Sequence, residues 1–199
     1  MRAALARWRA APDAPPPGYR PGAIAARVLA DLGAVRDAHA AHDVAGDAAA
    51  QLPNGVHVSI DEGVDRQFLM HTVSVQVSVT VSGPAGQGRA RVQQTGWVRC
   101  TGVAAEPLPG CDPAFVRSVA ALVADPSLAA ALRPLHLTDC TIAARDGRWT
   151  LAVVPFGGSE VVNRMPSFRR YVRLTGEQAA ALSAACLAFE TALRGILRG

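Results

Sequence analysis

Residues 72–81 alternate without a break: Val73, Val75, Val77, Val79 and Val81 hold the odd positions, and Thr72, Ser74, Gln76, Ser78 and Thr80 the even ones. Successive side chains of a β-strand point to opposite faces, so this pattern dictates a strand with one apolar and one polar face. In a helix the same valines would be spread around the circumference, where β-branched side chains are also stiff. A sheet with one buried and one solvated face is characteristically antiparallel. Its apolar side needs a cover, which the rest of the chain must supply.

Two further segments extend the pattern. Behind the turn Pro53-Asn54-Gly55, Val56, Val58 and Ile60 alternate with His57, Ser59 and Asp61. After the glycine-rich stretch Ser82–Gly88, Ala90, Val92, Val98 and Cys100 continue an inner face, with Arg89, Arg91, Gln93 and Arg99 turned to water. These three strands predict an antiparallel meander. Residues 135–144 and 148–156 flank Asp146-Gly147, a strong two-residue hairpin signal. Trp149, Leu151 and Val153 share one face of the second strand.

The cover comes from helices. Ile24, Val28, Leu32 and Val35 recur at helical spacing behind Pro21, and Gly33 marks a stop or a tolerated interruption. Asp112-Pro113 and Asp125-Pro126 each place a capping side chain before a proline at the first helical position. The first opens a helix with Phe115, Val116, Val119, Leu122 and Val123 inward; the second carries Leu128 and Leu132 and is stopped by Pro134. Thr175 and Gln178 form a capping-box pattern ahead of Leu182, Cys186, Phe189, Leu193 and Leu197. The order α-βββ-αα-ββ(β)-α predicts an α+β fold, a meander plus a hairpin covered by helices. It resembles the helix–three strands–helix–two strands–helix layout of secretion-chaperone-like folds, a likeness of topology that covers no motif and carries no function.

Composition sets outer limits. With 199 residues, half of them apolar and 18% charged, the chain predicts one globular domain, residues 22–199, behind a basic, proline-rich flexible arm, residues 1–21. Within the arm, Arg2, Arg7, Trp8 and Arg9 precede an extended linker at 12–21. No apolar stretch follows those basic residues, which predicts no secretory signal, and no membrane span is expected. The expected compartment is the cytoplasm. Aromatics are 5% of the chain, few for a surface that stacks unpaired bases, so nucleic acid is a disfavoured partner. The net charge is +4 and every basic residue is arginine. Cys100, Cys111, Cys140 and Cys186 show no zinc spacing, and Cys140 and Cys186 fall on apolar faces as reduced thiols. Cys100 and Cys111 bracket a loop and would pair in an oxidising compartment.

One segment stands apart for chemistry. Between Pro155 and Leu174 lie Gly157-Gly158, Glu160, Asn163 and the arginines Arg164, Arg169, Arg170 and Arg173; Arg145 and Arg148 lie on the neighbouring hairpin. Such residues can bind an anion or an acidic partner through charge and backbone N–H groups. A solvated basic face, with Glu160 paired to an arginine and Phe168 and Tyr171 packed on the sheet, has the same composition. His39, His42, Asp43 and Asp47 give a metal-like spacing without a third strong ligand, and a solvated helix or loop accounts for them better. His71 lies on the valine face, and His57 and His136 stand alone. Gly158-Ser159 lacks the closing glycine of a nucleophile turn. No Walker loop or dinucleotide fingerprint is present, and Gly83–Gly88 opens no helix.

The runs Phe156–Val162 and Arg169–Leu174, with Gly18–Gly22 and Arg66–His71, resemble a bacterial protein family of unknown function. The resemblance brings no catalytic residues to transfer, and with no nucleotide fingerprint or zinc spacing in the chain no cofactor or metal is expected. The expected function is a non-enzymatic binding module with an anionic ligand or acidic protein as partner. Two alternatives stand beside it: a small-molecule enzyme with a pocket near Glu160, Asn163, Arg164 and His71, and a structural protein that self-associates through the polar sheet face or an open edge.

Overall fold

The computed structural model describes residues 15–36, 48–67, 69–96 and 102–198. Arg2, Arg7, Trp8 and Arg9, the group His39, His42, Asp43 and Asp47, and Val98, Arg99 and Cys100 lie outside the described residues, as does the Arg164 side chain. In chain order the elements are α1 (Ala23–Leu32), β1 (Val35–Arg36), β2 (Ala48–Gln51), β3 (His57–Gln67), β4 (Met70–Ser82), β5 (Gly88–Thr95) and β6 (Gly102–Pro107). Then follow α2 (Pro113–Ala124), α3 (Pro126–Leu132), a 3-10 turn (Arg133–Leu135), β7 (Leu137–Arg145), β8 (Arg148–Pro155), β9 (Ser159–Arg164), β10 (Ser167–Val172) and α4 (Gly176–Arg198).

The fold is α+β as expected, and more strand-rich: the described strands form one ten-stranded antiparallel sheet, with β1-β2-β3-β4-β8-β7-β5-β6 as its main path. β4 is its axis. The valine face is buried at Val73, Val75, Val77 and Val79, none more than 2% exposed, while Val81 is half-buried near the strand's end. Each fully buried valine contributes about 1.5–3 kcal/mol relative to an exposed one. One edge of β4 takes β3; the other takes β9 at Met70–Val73 and β8 at Val77–Ser82. The meander is corrected here: β5 pairs with β7 and β6, and β8 fills the place expected for it beside β4. The alternation of β5 is satisfied in either place, because pattern fixes which face is buried and leaves the neighbouring strand open.

The helical signals translate closely. Asp112 Oδ1 accepts from Phe115 N at 2.6 Å, and Asp125 Oδ1 from Ser127 N and Leu128 N at 2.9 Å each. The Asp112 carboxyl is held below its ordinary pKa, first by the bond from Phe115 N. Thr175 and Gln178 exchange reciprocal bonds of 3.1 and 3.2 Å, completing the capping box. Gly33 ends α1 in the left-handed region at φ 63°. Asp146 and Gly147, at φ 53° and 72°, make the β7–β8 turn. Three apolar assignments fail: Val116 is 38% exposed and Leu197 51%, both at the margins of their stripes, and Val35, beyond the Gly33 stop, is 70% exposed in β1.

α4 is long and apolar enough, by length and composition, to cross a membrane, a test that core helices also pass. Here Leu182, Cys186, Phe189 and Leu193 are buried in the core shared with the sheet. Burial pushes the Cys186 thiol up to about 12 and raises Cys140 as well, so both stay protonated as expected. At the other end of the chain, where an extended linker is predicted, residues 16–19 turn, with Tyr19 N donating to Pro16 O at 3.0 Å. Tyr19 then packs against the core.

Candidate functional site

The strand register divides the expected arginine group. Arg148 sits opposite Ser82, whereas Glu160 sits opposite Val73. The run from Val73 to Ser82 spans roughly 30 Å at the rise of an antiparallel strand. Arg145 and Arg148 are therefore at one end of the sheet and Glu160 at the other. Arg145 is fully in water, its Nε 3.5 Å from Asp146.

At the Glu160 end, β9 and β10 form a hairpin whose pleat sorts the remaining residues. Tyr171 faces Glu160 and Arg169 faces Val162, all on the face that α1 covers; Asn163 and Phe168 pair on the opposite face, as do Val161 and Arg170. Gly157-Gly158 offers no anion nest at Gly158: its N–H donates to Val172 O at 2.6 Å. Gly158 has φ 87°, and a Cβ there would stand 2.9 Å from Val28 Cγ2, so glycine lets the hairpin seat closely against α1.

Glu160 is the centre of what these elements bring together. Its side chain is 8% exposed, with Arg27 Nη1 3.9 Å from Oε1 and Arg169 Nε 3.7 Å from Oε2. Both separations exceed hydrogen-bond length, so the guanidiniums balance the charge without enclosing it. Arg27 also lies over the Tyr171 ring, 5.3 Å from its centroid. Arg169 donates to the carbonyls of Pro17 and Gly18, pinning the residue 16–19 turn to the hairpin. Between these walls opens a cleft of about 300 Å³ lined by Tyr19, Arg20, Ile24, Arg27, Glu160 and Arg169. Its lining carries three arginines and one carboxylate, a setting for an anionic group with a donor from which Glu160 can accept.

Two further carboxylates hold the surroundings in place. Asp31 accepts from Tyr171 OH at 2.9 Å and from Arg173 Nε at 2.6 Å. Burial, then Asp31's hydrogen bond and charge, raise the Tyr171 phenol well above its ordinary value. Glu62 Oε2 accepts from Ile24 N and Ala25 N at 3.2 and 3.0 Å, capping the start of α1 from another strand. Tyr19 is raised to about 12 by burial and by its bond to Glu62.

Of the expected site residues, Glu160 and Arg169 line the cleft, and Arg173 stands at its side on Asp31. Arg164 contributes its backbone to β9, and Arg170 is exposed on the opposite face. The proposed enzyme group is split: His71, 2% exposed, is on the Glu160 face as its diagonal neighbour, but Asn163 is on the other, donating to Met165 O at 3.3 Å. Among the described residues no cluster of three His, Cys, Asp or Glu forms a metal site. Sequence reasoning missed Tyr19, Arg20, Arg27, Asp31 and Glu62. The available signal was Arg27 and Asp31, four apart on α1 and so on one helix face.

Fold and site together define an α+β domain with an open antiparallel sheet covered by helices on one face and an arginine–carboxylate cleft where α1 meets the β9–β10 hairpin. The chain belongs to the family described as Protein of unknown function (DUF3156), which matches residues 31–193. Glu160 and Arg169 lie inside the matched span, while Tyr19, Arg20 and Arg27 precede it. Searches of curated proteins and of solved structures return no match.

Proposed function

We propose that this protein is a non-enzymatic binding module that receives an anionic group, free or on an acidic protein, in the cleft beside Glu160. One observation carries this reading: Arg27 and Arg169 stand 3.9 and 3.7 Å from a buried carboxylate, beyond hydrogen-bond reach, at the wall of an opening that Arg20 also lines. Arg169 already donates to the carbonyls of Pro17 and Gly18, so the guanidinium donors available to a carboxylate or phosphate are those of Arg27 and Arg20. The buried, protonated thiols of Cys140 and Cys186 support a reducing compartment, and we place the protein in the cytoplasm. In this reading an arm, residues 1–21, precedes a domain, residues 22–199, and the end of the arm takes part in binding, since Tyr19 and Arg20 line the cleft.

Titration calorimetry with inorganic phosphate, citrate and a Glu/Asp-rich peptide, each across a salt series, tests it. Binding that weakens as salt rises, falls about tenfold in Arg27→Ala and is unchanged in Arg145→Ala/Arg148→Ala is the expected result. Absence of binding by all three probes, or binding indifferent to Arg27→Ala, overturns it.

A further inference from the structure

α4 is apolar on more than its core side. Of the stretch long enough to cross a membrane, 33% is buried. Between Glu177 and Glu190 the helix carries no charge, and Ala180, Ala184 and Leu187 are exposed there, Leu187 at 42%. Thr191 and Gly195 continue this outward face. With Ala121 and Ala124 of α2 they border a groove of about 740 Å³ running along α4. A helix apolar all round is ordinarily covered all round. In the single chain this face has no cover.

The sequence of α4 is complementary to its own reverse. Laid antiparallel on a second copy, with a two-fold axis between Leu187 and Ala188, the helix sets Leu187 against Ala188, Ala184 against Thr191 and Ala180 against Gly195. The same register sets Glu177, in the first turn, against Arg198, in the last. The large side chain therefore meets a small one at the centre, and opposite charges meet at both ends of a contact roughly 32 Å long. A two-fold makes each of these contacts twice. Small side chains let the axes approach closely, and the groove beside α4 gives the partner helix room. A helix adapted to a lipid surface presents Trp, Phe and Leu beside a basic face, whereas this face is Ala, Thr and Gly around a single Leu.

We propose that the protein forms a two-fold dimer through antiparallel pairing of α4, an assignment that does not rest on the cleft. Sedimentation velocity of the full chain over a concentration series should show dimer giving way to monomer on dilution. Ala184→Arg, on an exposed helix face, should abolish the dimer while far-ultraviolet circular dichroism stays unchanged. Glu177→Arg should weaken association about tenfold, and Arg198→Glu added to it should restore it; this swap decides the question even where Ala184→Arg fails to fold. A monomer at every concentration overturns the proposal, and so does a dimer indifferent to these changes. Flotation of a purely monomeric protein with phosphatidylglycerol vesicles would assign the face to lipid and overturn it equally.

Discussion

At the β7–β8 turn, Arg145 and Arg148 stand in water, Arg145 beside the equally exposed Asp146. At the β9–β10 end, Arg169 and Arg173 stand beside carboxylates whose side chains are only 8% and 7% exposed, Glu160 and Asp31. Four of the six arginines between Arg145 and Arg173 thus divide into two distinct situations. An exposed pair in high dielectric is worth little and is screened by salt. A buried carboxylate left without its cation costs several times more. Charge density along the chain is therefore a poor guide to where a protein concentrates electrostatic work.

The contrast can be broken experimentally. The largest effect is expected from Gly158→Ala, which forces a side chain into the left-handed region and against Val28; a loss of about 3 kcal/mol in urea denaturation would match strain plus the clash. Next, Asp31→Ala strips Tyr171 and Arg173 of their acceptor, and a loss of about 2 kcal/mol is expected by the same measurement. Equal stability of that variant and wild type would mean that the buried carboxylate does not organise this end.

A smaller, pH-dependent effect follows from the phenols. Both tyrosines of the chain, Tyr19 and Tyr171, have raised folded pKa values. Folding therefore favours their neutral forms: the stabilisation is full below the ordinary value of 10.0 and is lost as pH rises through the folded values. Thermal melts should fall in alkali, and Tyr171→Phe should flatten that decline. Smallest of all, Arg145→Ala and Arg148→Ala should each stay within about 0.5 kcal/mol of wild type. A larger cost at either arginine would erase the distinction between the two ends.

Much of the fold was legible because local rules left few options. The valines of β4, the aspartates before Pro113 and Pro126, the Thr175–Gln178 box and the Asp146-Gly147 turn each solve a local problem: a pleat to bury, an orphan N–H to satisfy, a positive φ to accommodate. The neighbours of β4 were not legible. β5 follows it in sequence with an adequate inner face, yet β8 and β9 share its free edge. The cleft was half legible: Glu160 and Arg169 stood out as a charged segment, while Arg20, in the linker, and Arg27, on the first helix, carry no local mark of a site.

Alone, the sequence determined which faces are apolar, where helices begin and stop, and that an antiparallel sheet must be covered from one side. Those properties depend on side chains a few residues apart, whose periodicity and hydrogen bonding act within one element. Only the tertiary structure decided which strand edge β8 would take, that Asp31 and Tyr171 would meet across 140 residues, and that Glu160 would be buried between an early and a late arginine. Such pairings arise from the closing of long loops, whose free energy changes only slowly with length and leaves no mark on either partner's local sequence.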